Sequence, residues 1–358
     1  MSSANLRDHL IRLIGETGPL PLPHYMALAL GHPEHGYYMT RDPFGAGGDF
    51  TTAPEVSQMF GELIGLWLAD RWIAHGSPAP FALAELGPGR GTLMADALRA
   101  MRAVPGMADA ASIHFVETSP ALRALQRERV PEAKWHSTVA GLPELPLFLI
   151  ANEFFDALPI TQYQRTERGW CERCVDYRDG KFLPVLAPVA AANDKALAEN
   201  VRNAPVGSIA ETCPAATAIA EEIAARIAHR GGAALIIDYG HTKSAAGDTL
   251  QAMRRHRFVD PFDTPGEADL TAHVDFEALA RAVRRNGAEP HGPANQGAFL
   301  NALGIAARAE RLSRNATEAQ KRDIAAALAR LTGEARMGSL FKVLGITPPG
   351  AGAPAGFA

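Results

Sequence analysis

The fold is decided by a short stretch that reads Phe81-Ala82-Leu83-Ala84-Glu85-Leu86-Gly87-Pro88-Gly89-Arg90-Gly91. An apolar run ends in an acid and three alternating glycines, and a helical pattern follows over Thr92–Val104. In such a strand–loop–helix unit the glycines let the backbone turn tightly, and a ligand can approach the helix N-terminus closely. A glycine-rich turn without a ligand is the alternative, and the flanking strand and helix weigh against it. We therefore expect a ligand-binding βα unit here.

Short apolar runs alternate with amphipathic segments through the chain around this unit. The runs of strand length are Phe81–Glu85, Ile113–Glu117, Pro146–Asn152 and Ala233–Asp238. Helical patterns between and before them cover Thr92–Val104, Ser119–Arg129 and Glu211–His229. This alternation predicts βαβ units, and hence an α/β fold with a doubly wound, mostly parallel sheet.

The residues before the sheet are expected to form helices and a covering loop. An apolar face at Leu6, Leu10 and Ile14 predicts a first helix, and a second is expected over Leu22–Leu30. The irregular stretch His32–Phe50 follows. Because an irregular stretch before a well-capped helix is typical of a binding loop, we interpret it as one.

A long helix is predicted to start directly after this loop. Thr52 and Glu55 have the spacing of a capping box, and Pro54 suits the first turn. The helix is expected to run from Pro54 to His75.

The sequence predicts three parts in the chain. Residues 1–78 form the N-terminal helical segment and the loop, residues 79–346 the α/β domain, and residues 347–358 a disordered Pro/Gly/Ala-rich tail. Inside the α/β domain, an antiparallel insertion is expected at about 160–210 and a helical lobe at about 265–336. The insertion and the C-terminal helices are expected to lie over the carboxyl edge of the sheet.

Composition excludes several classes of protein. The chain has 358 residues, of which 47% are hydrophobic and 21% charged, as in a globular protein. The formal net charge of −4 offers no basic surplus, so nucleic acid is not an expected partner. No apolar run reaches the roughly 18 residues that span a bilayer, and the N-terminus has no apolar signal core. We therefore expect a cytoplasmic protein without membrane insertion.

Cysteines and histidines give weak signals only. Cys171 and Cys174 form a lone C-x-x-C, which indicates a redox pair, half a zinc site, or two thiols that happen to lie close together. A zinc site needs two more ligands, and no matching second pair follows. His32 and His35 flank Pro33, which disrupts a helical presentation, so no metal is expected.

Polar residues end the predicted strands. Ligands in open α/β sheets bind outside the carboxyl ends of the strands. A carboxylate at Glu117 could accept hydrogen bonds from both hydroxyls of a ribose, and Ser119 is placed to cap the next helix. Three further residues, Asn152, Glu153 and Asp238, end other strands in the same way. Helix capping and loop hydrogen bonds are the alternative explanation for each of them.

The glycine pattern separates two classes of nucleotide-binding enzyme. A dinucleotide fingerprint reads G-x-G-x-x-G, whereas here the third glycine comes one residue early, at Gly91, and Thr92 follows. The pattern E-x-G-x-G-x-G resembles the glycine loop of class I methyltransferases, which implies S-adenosyl-L-methionine as the cofactor. An NAD-dependent oxidoreductase remains an alternative.

A more specific resemblance comes from several motifs in a fixed order. They are Gly48-Asp49-Phe50-Thr51-Thr52-Ala53-Pro54-Glu55-Val56-Ser57, Glu85–Gly91, Asn152–Pro159, Asp238–His241, Ala268-Asp269-Leu270-Thr271-Ala272-His273-Val274-Asp275-Phe276 and Gln296-Gly297-Ala298-Phe299-Leu300. Together they resemble the MidA family, whose mitochondrial members assist assembly of respiratory complex I. The resemblance implies a Rossmann-like class I methyltransferase that methylates arginine in a partner protein, which in the mitochondrial case is a complex I subunit. A preference for arginine over lysine suits a bacterial version, whose substrate need not be the same.

The resemblance also implies which residues hold the cofactor. The matching positions are Glu85, Gly87, Gly89, Gly91 and Glu117, and the loop around Asp49–Thr51 is expected to close over the cofactor. Ser119 and Asn152 are further candidates, because both follow strands at the same edge. The candidate cofactor residues are therefore Glu85, Gly87, Gly89, Gly91, Glu117, Ser119, Asn152, Asp49 and Thr51.

An arginine acceptor adds a chemical demand. The pKa of its guanidinium lies far above neutral pH, so it arrives as a cation and must lose a proton as it reacts. Carboxylates can hold a guanidinium and accept that proton. Glu153 and Asp156 are the first candidates, on one face if the chain turns helically there, and Asp238 is the next. Two alternatives remain: an assembly factor that binds S-adenosyl-L-methionine without turnover, and a small-molecule methyltransferase.

Overall fold

The computed structural model describes residues 5–40, 51–190 and 197–357. The chain divides into two compact units. The first unit comprises Met1–Phe50, Asp156–Thr217 and Lys243–Asp275, and the second comprises Thr51–Phe155, Ala218–Thr242 and Phe276–Ala358. Each unit is thus assembled from three separate segments of the chain.

The helices are α1 (Leu6–Thr17), α2 (Leu22–Gly31), α3 (Tyr37–Thr40), α4 (Ala53–Val56), α5 (Gln58–Ala74), α6 (Thr92–Met101), α7 (Met107–Ala110), α8 (Pro120–Arg129), α9 (Glu199–Arg202), α10 (Pro214–Arg230), α11 (Phe276–Arg285), α12 (Gln296–Ala302), α13 (Ile305–Ser313), α14 (Glu318–Thr332) and α15 (Met337–Leu340). None of the helices in the described ranges is long and apolar enough to cross a membrane.

The strands are β1 (Leu20–Pro21), β2 (Phe81–Leu86), β3 (Ala111–Val116), β4 (Lys134–His136), β5 (Leu147–Asn152), β6 (Thr161–Thr166), β7 (Gly169–Arg178), β8 (Lys181–Ala190), β9 (Ile209–Thr212), β10 (Gly232–His241), β11 (Gln251–Arg254), β12 (Arg257–Val259), β13 (Asp269–Thr271), β14 (Val274–Asp275), β15 (Glu289–Asn295) and β16 (Phe341–Thr347). Most of the predicted strands are confirmed within one or two residues.

The second unit is built on a mixed sheet. Its strand order is β15-β16-β10-β5-β2-β3-β4. The strands β10, β5, β2, β3 and β4 run parallel, whereas β16 is antiparallel to both β10 and β15. The predicted mostly parallel sheet is therefore confirmed, with an antiparallel addition at one side.

Burial explains why these segments are strands with helices on both faces. Every residue of β2 and of β5 is buried. Strands buried on both faces need a layer of helices on each, which the βαβ connections supply. One face packs in a core with α5 and α6, which includes Trp67, Phe81 and Phe148. The helix α11 packs against β15 and β16.

The first unit combines short helices with antiparallel strands. Strands β1, β7, β6 and β9 follow one another in one sheet, with β8 paired to β7, and β12, β11 and β13 form a second. The predicted antiparallel insertion is confirmed, since β7 pairs antiparallel with both β6 and β8, and Arg178 pairs with Lys181 across the turn at Asp179 and Gly180. The apolar face of α1, with Leu6, Leu10 and Ile14, is buried in the core of this unit.

Two local predictions are wrong. The helix expected from Pro54 to His75 is broken at Ser57, which has an extended backbone and caps α5 through its own side chain. Thr52 makes no side-chain cap, so the expected capping box is absent. The carboxylate of Glu55 accepts a hydrogen bond from Thr92 instead.

The tail was expected to be disordered, and the structure contradicts this as far as residue 357. The indole N–H of Trp67 donates to the carbonyl of Ala355 at 3.0 Å. The ring of Phe357 contacts the rings of Trp67 and Phe299. The Pro/Gly/Ala-rich composition predicts disorder, but the aromatic ring of Phe357 anchors the tail.

A buried carboxylate joins three helices of the second unit. Glu62 on α5 accepts hydrogen bonds from Arg308 on α13 at 2.7 Å and from Arg99 on α6 at 3.0 Å. Burial alone would raise the pKa of Glu62, but the hydrogen bonds and charges of Arg308 and Arg99 together hold it below its ordinary value. The ionised form is therefore the one that stabilises this arrangement.

Glu62→Gln should lower the free energy of unfolding by about 2 kcal/mol near neutral pH, because hydrogen bonds to a charged group are lost. Since the folded pKa is lowered, the stabilisation is present above the unfolded pKa of 4.5 and is lost as the pH falls through the folded value. Urea unfolding at neutral and acid pH measures both effects. Glu310→Gln is the control, because its ion pair with Arg314 is exposed and should contribute little. Equal losses in the two variants would contradict the prediction.

Candidate functional site

The carboxyl ends of the parallel strands in the second unit lie along one edge of the sheet. Leu86 of β2 is in register with Val116 of β3 and with Ala151 of β5. Asn152, at the end of β5, is in register with Ile237 of β10. The polar residues that follow these positions are thereby collected at a single edge, as the sequence predicted.

The glycine loop has a backbone that other residues rarely adopt. Gly87, Gly89 and Gly91 have φ angles of +56°, +54° and +78°. Gly91 is the N-cap of α6, and the amide of Gly87 donates to the carbonyl of Val116 at 3.0 Å. A Cβ atom at Gly87 would lie 2.9 Å from Cδ2 of Phe154. The loop is therefore fixed between the end of β3 and the segment after β5.

Two buried oxygens at this edge have no hydrogen-bond partner among the described residues. They are Oε2 of Glu85 and Oδ1 of Asn152. Burial raises the pKa of Glu85 to about 8, although the backbone amide of Met94 donates to its carboxyl group and opposes the shift. An unsatisfied buried acceptor costs about 1–3 kcal/mol. Such atoms are typical of a place where a ligand supplies the donor.

Glu117 is held in place by several donors. Its Oε1 accepts from the amides of Thr118 and Ser119, each at 2.8 Å, and its Oε2 accepts from Gln126 at 3.2 Å. Arg123 donates to the backbone carbonyl of Glu117. Burial raises the pKa of Glu117, and the hydrogen bonds from Ser119, Gln126 and Thr118 oppose that shift. Since a carboxylate offers about four acceptor positions, one remains on Oε2.

The predicted cap at Ser119 is confirmed. Its side chain accepts a hydrogen bond from the amide of Leu122 at 3.3 Å, at the start of α8. The side chain of Ser119 is therefore engaged with the helix, and its backbone amide with Glu117.

Glu153 stands in a strained conformation at the end of β5. Its φ is +51°, a region that side chains rarely adopt. Oε1 of Glu153 accepts from the amide of Ala53 at 3.0 Å and from the side-chain amide of Asn152 at 3.2 Å. Strain of this kind costs about 1–3 kcal/mol and is concentrated at functional sites. The half-buried carboxylate is thus aimed by its backbone and by two donors.

Asp238 is fully buried and engaged with the backbone. Its two oxygens accept from the amides of Phe155, at 3.0 Å, and Tyr239, at 2.9 Å. These contacts tie the segment after β5 to the end of β10.

Asp156 belongs to the first unit, where its carbonyl accepts from the amide of Ala272 at 2.9 Å. The chain between Glu153 and Asp156 is not helical, so the shared helical face considered for these acids does not form. Within the same unit, Tyr38 donates to Asp269 at 2.6 Å, and Asp156 is among the charges that raise the pKa of Tyr38 after burial itself and Asp269.

The loop predicted to cover the cofactor is described only in part. Asp49 lies outside the described residues. Thr51 is half-buried, and its carbonyl accepts from Arg330 at 3.2 Å.

Sequence reasoning missed two residues that contact the glycine-loop region. The carboxylate of Glu55 accepts a hydrogen bond from the hydroxyl of Thr92, the first residue of α6. Its oxygens also lie 3.7 Å from a guanidinium nitrogen of Arg90 and 3.8 Å from one of Arg129. Gln126 donates to the carbonyl of Gly89 at 2.8 Å. The spacing of Thr52 and Glu55 predicts a capping box, which assigns Glu55 to the helix start and not to α6. A glutamine within a helix has no sequence pattern that would indicate a contact with the glycine loop.

Cys171 and Cys174 lie inside β7, where both thiols are buried and free. Burial, followed by the charge of Glu172, raises the pKa of Cys174 to about 11. Reactive C-x-x-C cysteines depend on a lowered pKa, the opposite of the shift at Cys174.

The glycine loop follows an acid and lies between a buried strand and a helix, and a second acid follows the next parallel strand. This arrangement is typical of a Rossmann-like nucleoside-binding enzyme, and the glycine spacing resembles that of class I methyltransferases. A family profile described as an S-adenosyl-L-methionine-dependent methyltransferase matches residues 63–294. The class is therefore an S-adenosyl-L-methionine-dependent methyltransferase.

Individual relatives place the chain more closely. Mouse protein arginine methyltransferase NDUFAF7, mitochondrial, is 38% identical over 370 residues, which cover 95% of this chain and 84% of that protein. The Drosophila melanogaster homologue is 38% identical over 387 residues, covering 96% and 85%. A crystal structure from Burkholderia thailandensis bound to S-adenosyl-homocysteine is 33% identical, with a TM-score of 0.87 over 99% of this chain and 94% of that one. The chain belongs to the MidA family.

Gly87→Ala should weaken binding of S-adenosyl-homocysteine and lower Tm, because a Cβ adds a clash with Phe154 to the cost of a positive φ. The backbone strain alone costs about 1–2 kcal/mol. Gly76→Ala is the matched control, since Gly76 has a φ of +78° with nothing within 4 Å. That control should lower Tm and leave binding unchanged. Calorimetric titration and thermal melts measure both, and equal effects on binding would contradict the prediction.

Proposed function

We propose that the chain transfers the methyl group of S-adenosyl-L-methionine to an arginine side chain of a partner protein, with Glu153 as the carboxylate nearest the acceptor. The observation that carries the assignment of the cofactor site is the pair of unpartnered buried oxygens on Glu85 and Asn152 beside the glycine loop. Both are acceptors, and they match the amino and hydroxyl donors that a nucleoside with a methionine moiety carries.

The residues at this edge fit the cofactor. Gly87 has no Cβ, and Phe154 fills the space that a Cβ would take, so the glycine lets the loop pack closely against the segment after β5. Glu117 retains an acceptor position on Oε2, suited to a ribose hydroxyl, while its other positions are filled by the protein. A contact with both hydroxyls would have to share that oxygen. Gly89, Gly91, Ser119, Thr51 and Asp49 stay proposed cofactor residues on the family resemblance.

The chemistry asks little of the protein beyond alignment and proton handling. When bound, the cofactor supplies a methyl group on a sulfonium, which is activated for displacement. Glu153 would pair with the incoming guanidinium, orient one of its nitrogens and accept the proton that this nitrogen gives up. Its strained backbone and the donors Ala53 and Asn152 keep the carboxylate in one direction, as alignment requires.

Asp238 and Asp156 are assigned different parts. Because both oxygens of Asp238 accept backbone amides, we assign it to positioning the segment that carries Glu153. Asp156 stays a proposed catalytic residue only on the sequence motif that it shares with Glu153.

The acceptor is proposed from the relatives. The NDUFAF7 proteins are named as protein arginine methyltransferases, which supports a protein arginine here. A respiratory complex I subunit is the finer proposal, taken from the family resemblance alone. We also propose a cytoplasmic location for this chain, although the NDUFAF7 relatives are named mitochondrial.

Affinity for S-adenosyl-homocysteine should fall as the pH drops from about 8.5 to about 7, by roughly tenfold. Glu85 has a pKa raised to about 8, so lowering the pH protonates the acceptor that a bound donor needs. Calorimetric titration across this range measures the dissociation constant, and Glu85→Gln should bind more weakly with a flatter profile. Because the ligand titrates in the same way with both proteins, the difference between the two pH profiles reports the contribution of Glu85. Parallel profiles for the two proteins would contradict a role for Glu85.

Glu153→Gln should keep the affinity for S-adenosyl-homocysteine and lower methyl transfer by about 100-fold or more, because the amide cannot take the proton. Tritiated S-adenosyl-L-methionine and a lysate of cells that lack the protein provide the assay, with methylated arginine identified after hydrolysis. Glu132→Gln, at an exposed position, should behave as wild type.

The outcome also separates the rival functions. Unchanged turnover in Glu153→Gln would remove Glu153 from the role. Cofactor binding without a labelled product would favour an assembly factor that binds S-adenosyl-L-methionine but does not transfer its methyl group. Label found only in small molecules would favour a small-molecule methyltransferase.

A further inference from the structure

Gln126 is a fully buried polar residue in the middle of α8. A buried amide costs free energy unless its donors and acceptor are satisfied. Gln126 meets this condition with three partners: the carbonyl of Gly89 at 2.8 Å, Oε2 of Glu117 at 3.2 Å, and the indole N–H of Trp135 at 2.8 Å. One side chain thus connects the glycine loop, the acid after β3 and the strand β4.

The orientation of this amide follows from its partners. The indole N–H of Trp135 can only donate, so it must face the amide oxygen of Gln126. The carbonyl of Gly89 can only accept, so it must face the amide nitrogen. Both hydrogens of that nitrogen are then directed towards Gly89 and Glu117, and a flipped amide would lose both bonds and the bond to Trp135.

Trp135 is itself fixed from two sides. The guanidinium of Arg127 lies 4.7 Å from the centre of its ring, and the ring of Phe115 lies 6.0 Å away. Since Phe115 and Trp135 are also paired across β3 and β4, the donor that orients Gln126 is part of the sheet.

Gln126 also lies next to Gly91 of the glycine loop. A Cβ built at Gly91 would lie 3.7 Å from Cα and 3.8 Å from Cγ of Gln126, so there is room for only ordinary contact between them. The hydrogen bonds of Gln126 to Gly89 and Glu117 therefore connect the loop and the acid across a short distance. On Glu117, the amide of Gln126 occupies one position of the oxygen that retains an open acceptor site.

We propose that Gln126 is a positioning residue that holds the carboxylate of Glu117 in register with the glycine loop and so sets the affinity of the site for the nucleoside part of the cofactor. This inference rests on the proposed function, because it takes Glu117 as the residue that binds the ribose. Gln126 acts through Glu117 and Gly89 and needs no contact with the cofactor.

Three substitutions separate this role from simple packing. Gln126→Met keeps the length of the side chain and removes its hydrogen bonds, so the dissociation constant of S-adenosyl-homocysteine should rise about tenfold. Trp135→Phe keeps an aromatic ring, removes the donor that orients the amide, and should raise the dissociation constant about threefold. Glu128→Met, at an exposed position on the same helix, is the matched control and should change nothing.

Gln126→Glu provides a readout that a packing role would not move. At lower pH the two acids, at positions 117 and 126, can share one proton, and the protonated group can still donate to its neighbour. As the pH rises and both ionise, repulsion should drive them apart and affinity should fall. That trend has the opposite sign to the one expected for the wild-type protein. If Gln126→Met does not fold, this pH profile decides the question, with far-UV circular dichroism as the check on folding.

The result that overturns the inference is specific. If Glu117→Gln weakens binding while Gln126→Met and Gln126→Glu retain wild-type dissociation constants across the pH range, Gln126 has no positioning role and the cofactor site stands. If Glu117→Gln itself binds S-adenosyl-homocysteine as wild type, the assignment of Glu117 fails, and the role of Gln126 fails with it.

Discussion

The parallel pairing of β2 with β3 and with β5 is the constraint on which the rest of the second unit depends. Because β2 and β5 are buried along their whole length, polar side chains are concentrated near the carboxyl ends of the strands. Parallel strands end at the same edge, so the chain needs no long-range specification to bring its acids together. The register of Leu86 with Val116 and with Ala151 is sufficient.

Several features at that edge of the sheet are unfavourable in free energy when taken by themselves. Glu85 and Asn152 bury oxygens without partners among the described residues, and Glu153 holds a backbone angle that its side chain disfavours. Each feature costs on the order of 1–3 kcal/mol. Such costs persist only where the surrounding structure fixes them, and here the fixed elements are the buried strands, α6 and α8. A site that is rigid before its ligand arrives loses less conformational freedom on binding.

Much of this arrangement was accessible from sequence because it has a local signature. The apolar run before Glu85, the glycines after it and the Ser119-Pro120 start of α8 each follow rules that act over a few residues. The edge at which Glu117, Asn152 and Glu153 collect follows from the strand alternation. The roles of these residues stay predictions.

Other features depend on tertiary contacts and left no local trace. Glu55 has the spacing of a capping box, but its carboxylate, on α4, accepts a hydrogen bond from Thr92 at the start of α6. The tail is rich in Pro, Gly and Ala, but Phe357 anchors it beside Trp67. Gln126 reads as an ordinary helical residue, and only the fold shows that it faces Gly89 and Glu117.

The place of β16 has a consequence for how the chain is made. This strand, Phe341–Thr347, lies between β15 and β10 in the sheet, although some 100 residues separate it from β10 along the chain. During synthesis on the ribosome, β10 would expose the backbone edge that β16 later covers. An uncovered edge can pair with another nascent chain, so we expect this stage of biogenesis to be the one most sensitive to aggregation and most dependent on chaperones.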